Sequence, residues 1–188
     1  MSSEPIFLIG ARGCGKTTVG QKLALACRFA FVDSDRMLQA RAGKSIADIV
    51  ALEGWDSFRA LEARTLRAVT EASAVIATGG GVILAPENRA FMRERGRVIY
   101  LQAPVPVLAR RLEASPEEEQ RPTLTGKPID EEVRDVLAQR EALYREAAHF
   151  VVDAAREPDA VVAQILSLAF EDAISTTPKK SAPAGQRL

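Results

Sequence analysis

Residues 10 to 18, "GARGCGKTT", follow the short apolar run "IFLIG" and lead into "TVGQKLALAC". A glycine, four residues, then glycine, lysine and a hydroxyl residue, set between a strand pattern and a helix pattern, make a phosphate-binding P-loop. Its glycines let the backbone turn tightly and aim several N–H groups at phosphate oxygens, while the positive end of the following helix favours the anion. Lys16 then reaches the β and γ phosphates. Thr17 offers its hydroxyl to Mg²⁺, an ion that keeps most of its octahedral shell for water and nucleotide oxygens. Cys14 contributes its backbone alone.

The runs "FAFVD", "AVIAT", "RVIYLQA" and "HFVVDA" read as further buried parallel strands, separated by segments of helical periodicity. That alternation predicts a doubly wound α/β sheet, whose sites gather at the carboxyl ends of the strands. The P-loop, Asp33, Asp35 and Gly79 to Gly81 all fall there. A chain of 188 residues, 47% of them hydrophobic, suffices for one sizeable domain. Lys plus Arg equals Asp plus Glu at 25 each, so no surplus charge draws the chain to nucleic acid or an anionic membrane. Two cysteines, Cys14 and Cys27, make no disulfide framework, and with no basic leader and no membrane-length apolar run the expected setting is the cytosol. No exposed apolar stripe suggests a protein partner, and a monomer is expected.

Two segments depart from the regular pattern. Residues 113 to 132, "EASPEEEQRPTLTGKPIDEE", are polar, punctuated by proline and without apolar periodicity, as suits a lid that excludes water during phosphoryl transfer; its bounds are set at about 113–127. The end of the chain, 173–188, is rich in small residues and proline and is expected to be disordered, leaving 1–172 as a single domain.

The acceptor must be read from side chains. In "FVDSDR", Asp33 and Asp35 stand two apart, and an extended chain would point both to one side. Asp33 could then hold Mg²⁺ through water while Asp35 grips an acceptor hydroxyl and takes its proton; two solvated turn aspartates are the plainer alternative. In the helix pattern "GWDSFRALEARTLRAV", Arg59 occupies the first turn, where the helix dipole disfavours a cation, and Glu62 can pair with it. A substrate clamp and an ordinary surface ion pair explain that equally well. Arg140 shares the apolar stripe of its helix with Val133, Val136, Leu137 and Tyr144, so its guanidinium needs a structural carboxylate, a ligand carboxylate or an escape to solvent. Gly79, Gly80 and Gly81 permit close backbone approach by a ligand, and Arg121 in the lid could neutralise charge on the transferring group. Together these residues ask for a hydroxylated organic acid as phosphate acceptor. The one histidine, His149, precedes a strand and reads as structural.

In this order, "GARGCGKTT", "DSD", "FRALE", "ATGGG", "RPTL" and "REALY" resemble the shikimate kinases, over residues 5 to about 170, with the long lid and "QRPTLTG" of the enterobacterial shikimate kinase 2 form. The resemblance implies a nucleoside-monophosphate-kinase-like P-loop fold: a five-stranded parallel sheet in order 2-3-1-4-5, flanked by helices in three layers. It also implies ATP-dependent phosphorylation of the shikimate 3-hydroxyl, on the route to chorismate and aromatic amino acids. Carried onto this chain, it puts the phosphates on Gly13, Cys14, Gly15, Lys16, Thr17 and Thr18, and Mg²⁺ on Thr17 with Asp33 in its outer shell. Shikimate meets Asp35, Arg59, Gly79, Gly80, Gly81 and Arg140, within an acid-binding region of about 34–64 and the elements facing it. Lys16, Asp35 and Arg121 are the catalytic set, and Arg110, Arg121 and Arg156 join the nucleotide contacts. Thr123 departs from the leucine usual in the lid. The competing expectations are another small P-loop kinase, acting on gluconate or a nucleoside monophosphate, and a nucleotide-dependent switch.

Overall fold

The computed structural model describes residues 2–115 and 125–175, the last five by backbone alone. Five short strands form one parallel sheet: β1 (Ile6–Ile9), β2 (Ala30–Asp33), β3 (Ala74–Ala77), β4 (Arg97–Gln102) and β5 (Phe150–Asp153), in the order β2-β3-β1-β4-β5. The sheet order is the one the family resemblance implies. In register, Leu8 of β1 faces Ala77 of β3 on one side and Ile99 of β4 on the other. All four residues of β1 are buried, as the central strand of a doubly covered sheet requires.

The period of two divides β1 between the two layers. Ile6 and Leu8 join a cluster with Leu23, Leu101, Leu108, Val161 and Ile165, under α1 (Lys16–Cys27), α6 (Val105–Ala114) and α8 (Pro158–Ser175). Phe7 and Ile9 join Leu66, Met92, Tyr100 and Tyr144 on the other face, under α4 (Trp55–Val69), α5 (Pro86–Arg95) and α7 (Ile129–Ala147). A third, smaller cluster of Leu38, Ile46, Ile49 and Phe58 holds α2 (Ser34–Ala42) and α3 (Ile46–Glu53) against α4. This packet carries most of the expected acid-binding region and stands apart from the two main layers. Among the described residues no helix is long and apolar enough to cross a membrane.

One local expectation is corrected. The chain is not extended from Asp33 to Asp35, because Asp33 ends β2 and caps α2: its Oδ1 accepts from the backbone N–H of Asp35 at 3.1 Å and of Arg36 at 3.2 Å. Aspartate is among the best N-cap residues, so the helix begins at Ser34 and Asp35 lies in its first turn. The two carboxylates therefore serve different neighbours.

Candidate active site

The P-loop is built from a strand end and a helix start. Gly13 at φ +83° and Gly15 at φ +97° adopt the left-handed region that side chains disfavour. Helix α1 begins without a side-chain cap and without an acid in its first turn, so its leading N–H groups remain for an anion. The Lys16 ammonium is turned onto the loop itself, donating to the Gly10 carbonyl at 2.5 Å and the Ala11 carbonyl at 3.2 Å. The Thr17 hydroxyl donates to Asp33 Oδ2 at 3.2 Å, which joins the loop to the tip of β2.

The second half of the site lies beyond the ends of β3 and β1. A Cβ built at Gly79 would lie 2.8 Å from Glu62 Oε2 and 2.9 Å from Asp35 Oδ1. One built at Gly81 would lie 2.4 Å from both Nη1 and Nη2 of Arg59. The glycines thus leave room for two carboxylates and a guanidinium to close on the backbone. Gly80 is the meeting point. Its Cβ would lie 3.6 Å from the Gly10 carbonyl oxygen, 3.7 Å from the Arg12 backbone nitrogen and 3.7 Å from Arg140 Nη1.

Arg59 is held on three sides. Its Nη1 donates to Glu62 Oε1 at 2.9 Å, and its Cζ stands 5.4 Å from the Trp55 ring centroid and 5.1 Å from that of Phe58. Glu62 is 4% exposed, so this is not the surface ion pair that the sequence left open. Burial pushes the Glu62 carboxyl above its usual range, against the opposing pull of Arg59 and the charge of Arg140. Its Oε2 has no hydrogen-bond partner among the described residues. Arg140 is half-buried, and among the described residues no carboxylate lies within ion-pair distance of it. Among the described residues Arg140 thus has no ion-paired carboxylate, its charge reaches Glu62, and it stands beside the glycines.

Arg110 and Arg156 are exposed. A further arginine, Arg111, touches the loop, donating to the Cys14 carbonyl at 3.2 Å and the Ala154 carbonyl at 2.8 Å. The pair "RR" hid this, since adjacent helix positions differ by about 100° and only packing tells which one turns inward. Tyr144, read as a core residue, reaches the site through its hydroxyl, and Arg12 does so through its backbone. Nothing in the spacing singled out either. His149 is structural: its ring Nδ1 accepts from the Val98 backbone N–H at 2.9 Å and its backbone N–H donates to the Val98 carbonyl at 2.8 Å. Arg121 and Thr123 lie outside the described residues, as do 176–188 of the tail.

The shikimate kinase family model matches residues 12–169. A shikimate kinase 2 from Enterobacter sp. (strain 638) is 65% identical over 165 residues, 88% of this chain and 95% of that protein. Another from Erwinia tasmaniensis is 64% identical over the same extent, 88% of this chain and 95% of that protein. Among solved structures, the shikimate kinase from Acinetobacter baumannii in complex with shikimate superposes with a TM-score of 0.83 at 35% identity, covering 90% of this chain and 94% of that one. A gluconokinase from Sinorhizobium meliloti, at a TM-score of 0.56 and 18% identity, covers 93% of this chain and 98% of its own, and shares the fold alone.

Proposed function

The chain belongs to the shikimate kinase family, and from that premise we propose that it transfers the γ-phosphoryl group of ATP to the 3-hydroxyl of shikimate. The products are shikimate 3-phosphate and ADP, on the route to chorismate and the aromatic amino acids. The observation that carries the reading is the surroundings of Gly80, where the phosphate loop and the Arg140 guanidinium, which has no carboxylate within ion-pair distance among the described residues, lie within 3.7 Å of one empty side-chain position. A phosphate donor and an acidic acceptor brought to that junction would be held adjacent, and positioning supplies much of phosphoryl-transfer catalysis.

In this reading the nucleotide phosphates occupy the N–H groups from Gly13 to Thr18 and take Lys16 from the loop carbonyls it now holds. Thr17 and Asp33 offer hard oxygens already 3.2 Å apart, a donor set suited to Mg²⁺. When bound, that ion neutralises charge on the β and γ oxygens. Shikimate presents its carboxylate to Arg59 and Arg140, the two planar guanidinium groups nearest Gly79 to Gly81. Asp35, beside Gly79, orients the hydroxyl and accepts its proton as the new O–P bond forms. Arg121 is assigned the charge on the transferring group from its lid motif alone, and Arg110 and Arg156 the base end of the nucleotide from the family resemblance. The cytosol as setting and a monomer as the working form belong to the same reading.

The test is ADP release with MgATP and shikimate, run beside gluconate and AMP as acceptors. Turnover with shikimate alone is expected. Turnover only with another acceptor would overturn the use of Arg59 and Arg140, and ATP binding with no turnover on any acceptor would make the chain a switch.

A further inference from the structure

We propose that Tyr144 is a positioning residue for the transfer, pinning the Gly80 peptide between the phosphate loop and the acid-binding arginine; this rests on the shikimate reading above. Tyr144 is 0% exposed, and its hydroxyl donates to the Gly80 carbonyl at 2.6 Å. Phenylalanine would fill the same core position equally well, so packing leaves the hydroxyl unexplained. Its partner explains it. Gly80 is the residue whose empty side-chain position lies within 3.7 Å of Gly10 and Arg12 of the loop and of Arg140 at once.

Peptide planarity extends the consequence. The Gly80 carbonyl and the Gly81 N–H belong to one trans unit and point in opposite directions, so fixing the oxygen toward Tyr144 turns the Gly81 N–H away from it. The residue joined to that N–H is the one packed against the Arg59 guanidinium. Glycine peptides have the widest conformational freedom; the Val82 N–H to Gly79 carbonyl bond at 3.1 Å closes a turn over Gly80 and Gly81, and the Tyr144 bond adds a hold on the peptide at its centre.

Tyr144 is itself fixed. Its ring stacks on Tyr100, with centroids 5.0 Å apart and planes at 18°. The Tyr100 hydroxyl donates to the Glu141 carboxylate, and Gln102 Nε2 donates to the same group at 2.8 Å. Burial and Glu141 push the Tyr100 phenol upward, so it stays a proton donor. Helix α7 is thereby tied to β4 at Glu141 and to the glycine loop at Tyr144, and Arg140 projects from the same turn. One set of bonds sets both the height of the arginine and the plane of the glycine peptide.

Tyr144→Phe keeps the ring and removes the bond. Loss of one buried neutral hydrogen bond at this junction is expected to lower kcat/KM for shikimate roughly tenfold, with the ADP dissociation constant within about twofold of wild type. Both are measured well below the variant's unfolding midpoint. A variant that loses only thermal stability, or loses ADP and shikimate equally, overturns the proposal. Should the variant not fold, the chain's two tyrosines offer a second route. Wild type labelled with fluorotyrosine gives two ¹⁹F signals, assigned with Tyr100→Phe, and shikimate should shift that of Tyr144. No shift at saturating shikimate overturns the proposal. Wild type inactive on shikimate would overturn the substrate reading along with it, whereas active wild type matched by Tyr144→Phe overturns this inference alone.

Discussion

Gly81→Ala is the sharpest perturbation of the acid-binding half. Gly81 has φ −101° and ψ 8°, a conformation open to alanine, so the substitution acts through its methyl group and not through backbone strain. That methyl would stand 2.4 Å from Nη1 and Nη2 of Arg59 and 2.6 Å from Cζ, where ordinary contact begins at 3.4 Å. The guanidinium must retreat by about 1 Å from the position in which it makes its 2.9 Å bond to Glu62. It also shifts against the Trp55 and Phe58 rings, and the buried Glu62 feels less of the partner that opposes its protonation. The atoms that must move are the far end of a flexible side chain, so the stability cost is expected at the low end of the about 1–3 kcal/mol of core overpacking. Misplacement of a positioning group by about 1 Å costs about 100-fold in rate. The expected result is a folded variant with kcat/KM for shikimate down about 100-fold and ADP binding by calorimetry unchanged, because no loop contact is disturbed. A folded variant with wild-type kcat/KM would refute the placement of Arg59 at the acid.

Four further outcomes are expected. Asp35→Asn should lower kcat on the order of 10³-fold with ADP affinity retained, as for loss of a proton acceptor; equal loss of both in the same assays would remove Asp35 from the chemistry. Arg140→Ala should raise the KM for shikimate roughly 10- to 100-fold, more than it lowers kcat, and an unchanged KM would return Arg140 to a structural role. The His149 imidazole is held below its usual 6.5 by burial and by Arg93 and Arg97. The unfolded chain thus takes the proton first, so this contribution to stability is present above 6.5 and lost as pH falls through the folded value. As the only histidine, it gives one set of imidazole signals in an NMR titration, and a midpoint at or above 6.5 would contradict the assignment. Gly43 caps α2 at φ +65° with nothing within 4 Å of a Cβ, so Gly43→Ala should cost about 1 kcal/mol in a denaturant melt while kcat/KM stays put.

Local chemistry explains what could be read in advance. The P-loop is nine consecutive residues whose glycine conformations and helix start depend on near neighbours, so its geometry follows from its letters. Each strand run carries its own burial signal, and all five appear where the runs lie. Asp33 shows the limit of this reasoning at short range. Its capping competes with extension, and the cap won by satisfying two N–H groups that the helix start leaves open.

The remainder depended on contacts between distant segments. Which of Arg110 and Arg111 turns inward was decided by carbonyls 97 and 43 positions away, at Cys14 and Ala154. The Arg59–Glu62 pair was visible as a three-residue spacing, but its burial came with the approach of Gly79 and Gly81, which follow β3. Tyr144 looked like any core aromatic until Gly80, 64 positions earlier, was brought beneath its hydroxyl. By itself the sequence determined the phosphate loop, the strand and helix segments and the inventory of acids, arginines and glycines, because these follow from backbone preference and hydrophobic period within a few residues. Only the tertiary structure decided which of those groups share the crevice, because that depends on strand order and on how helices pack across the sheet, and no local spacing encodes either.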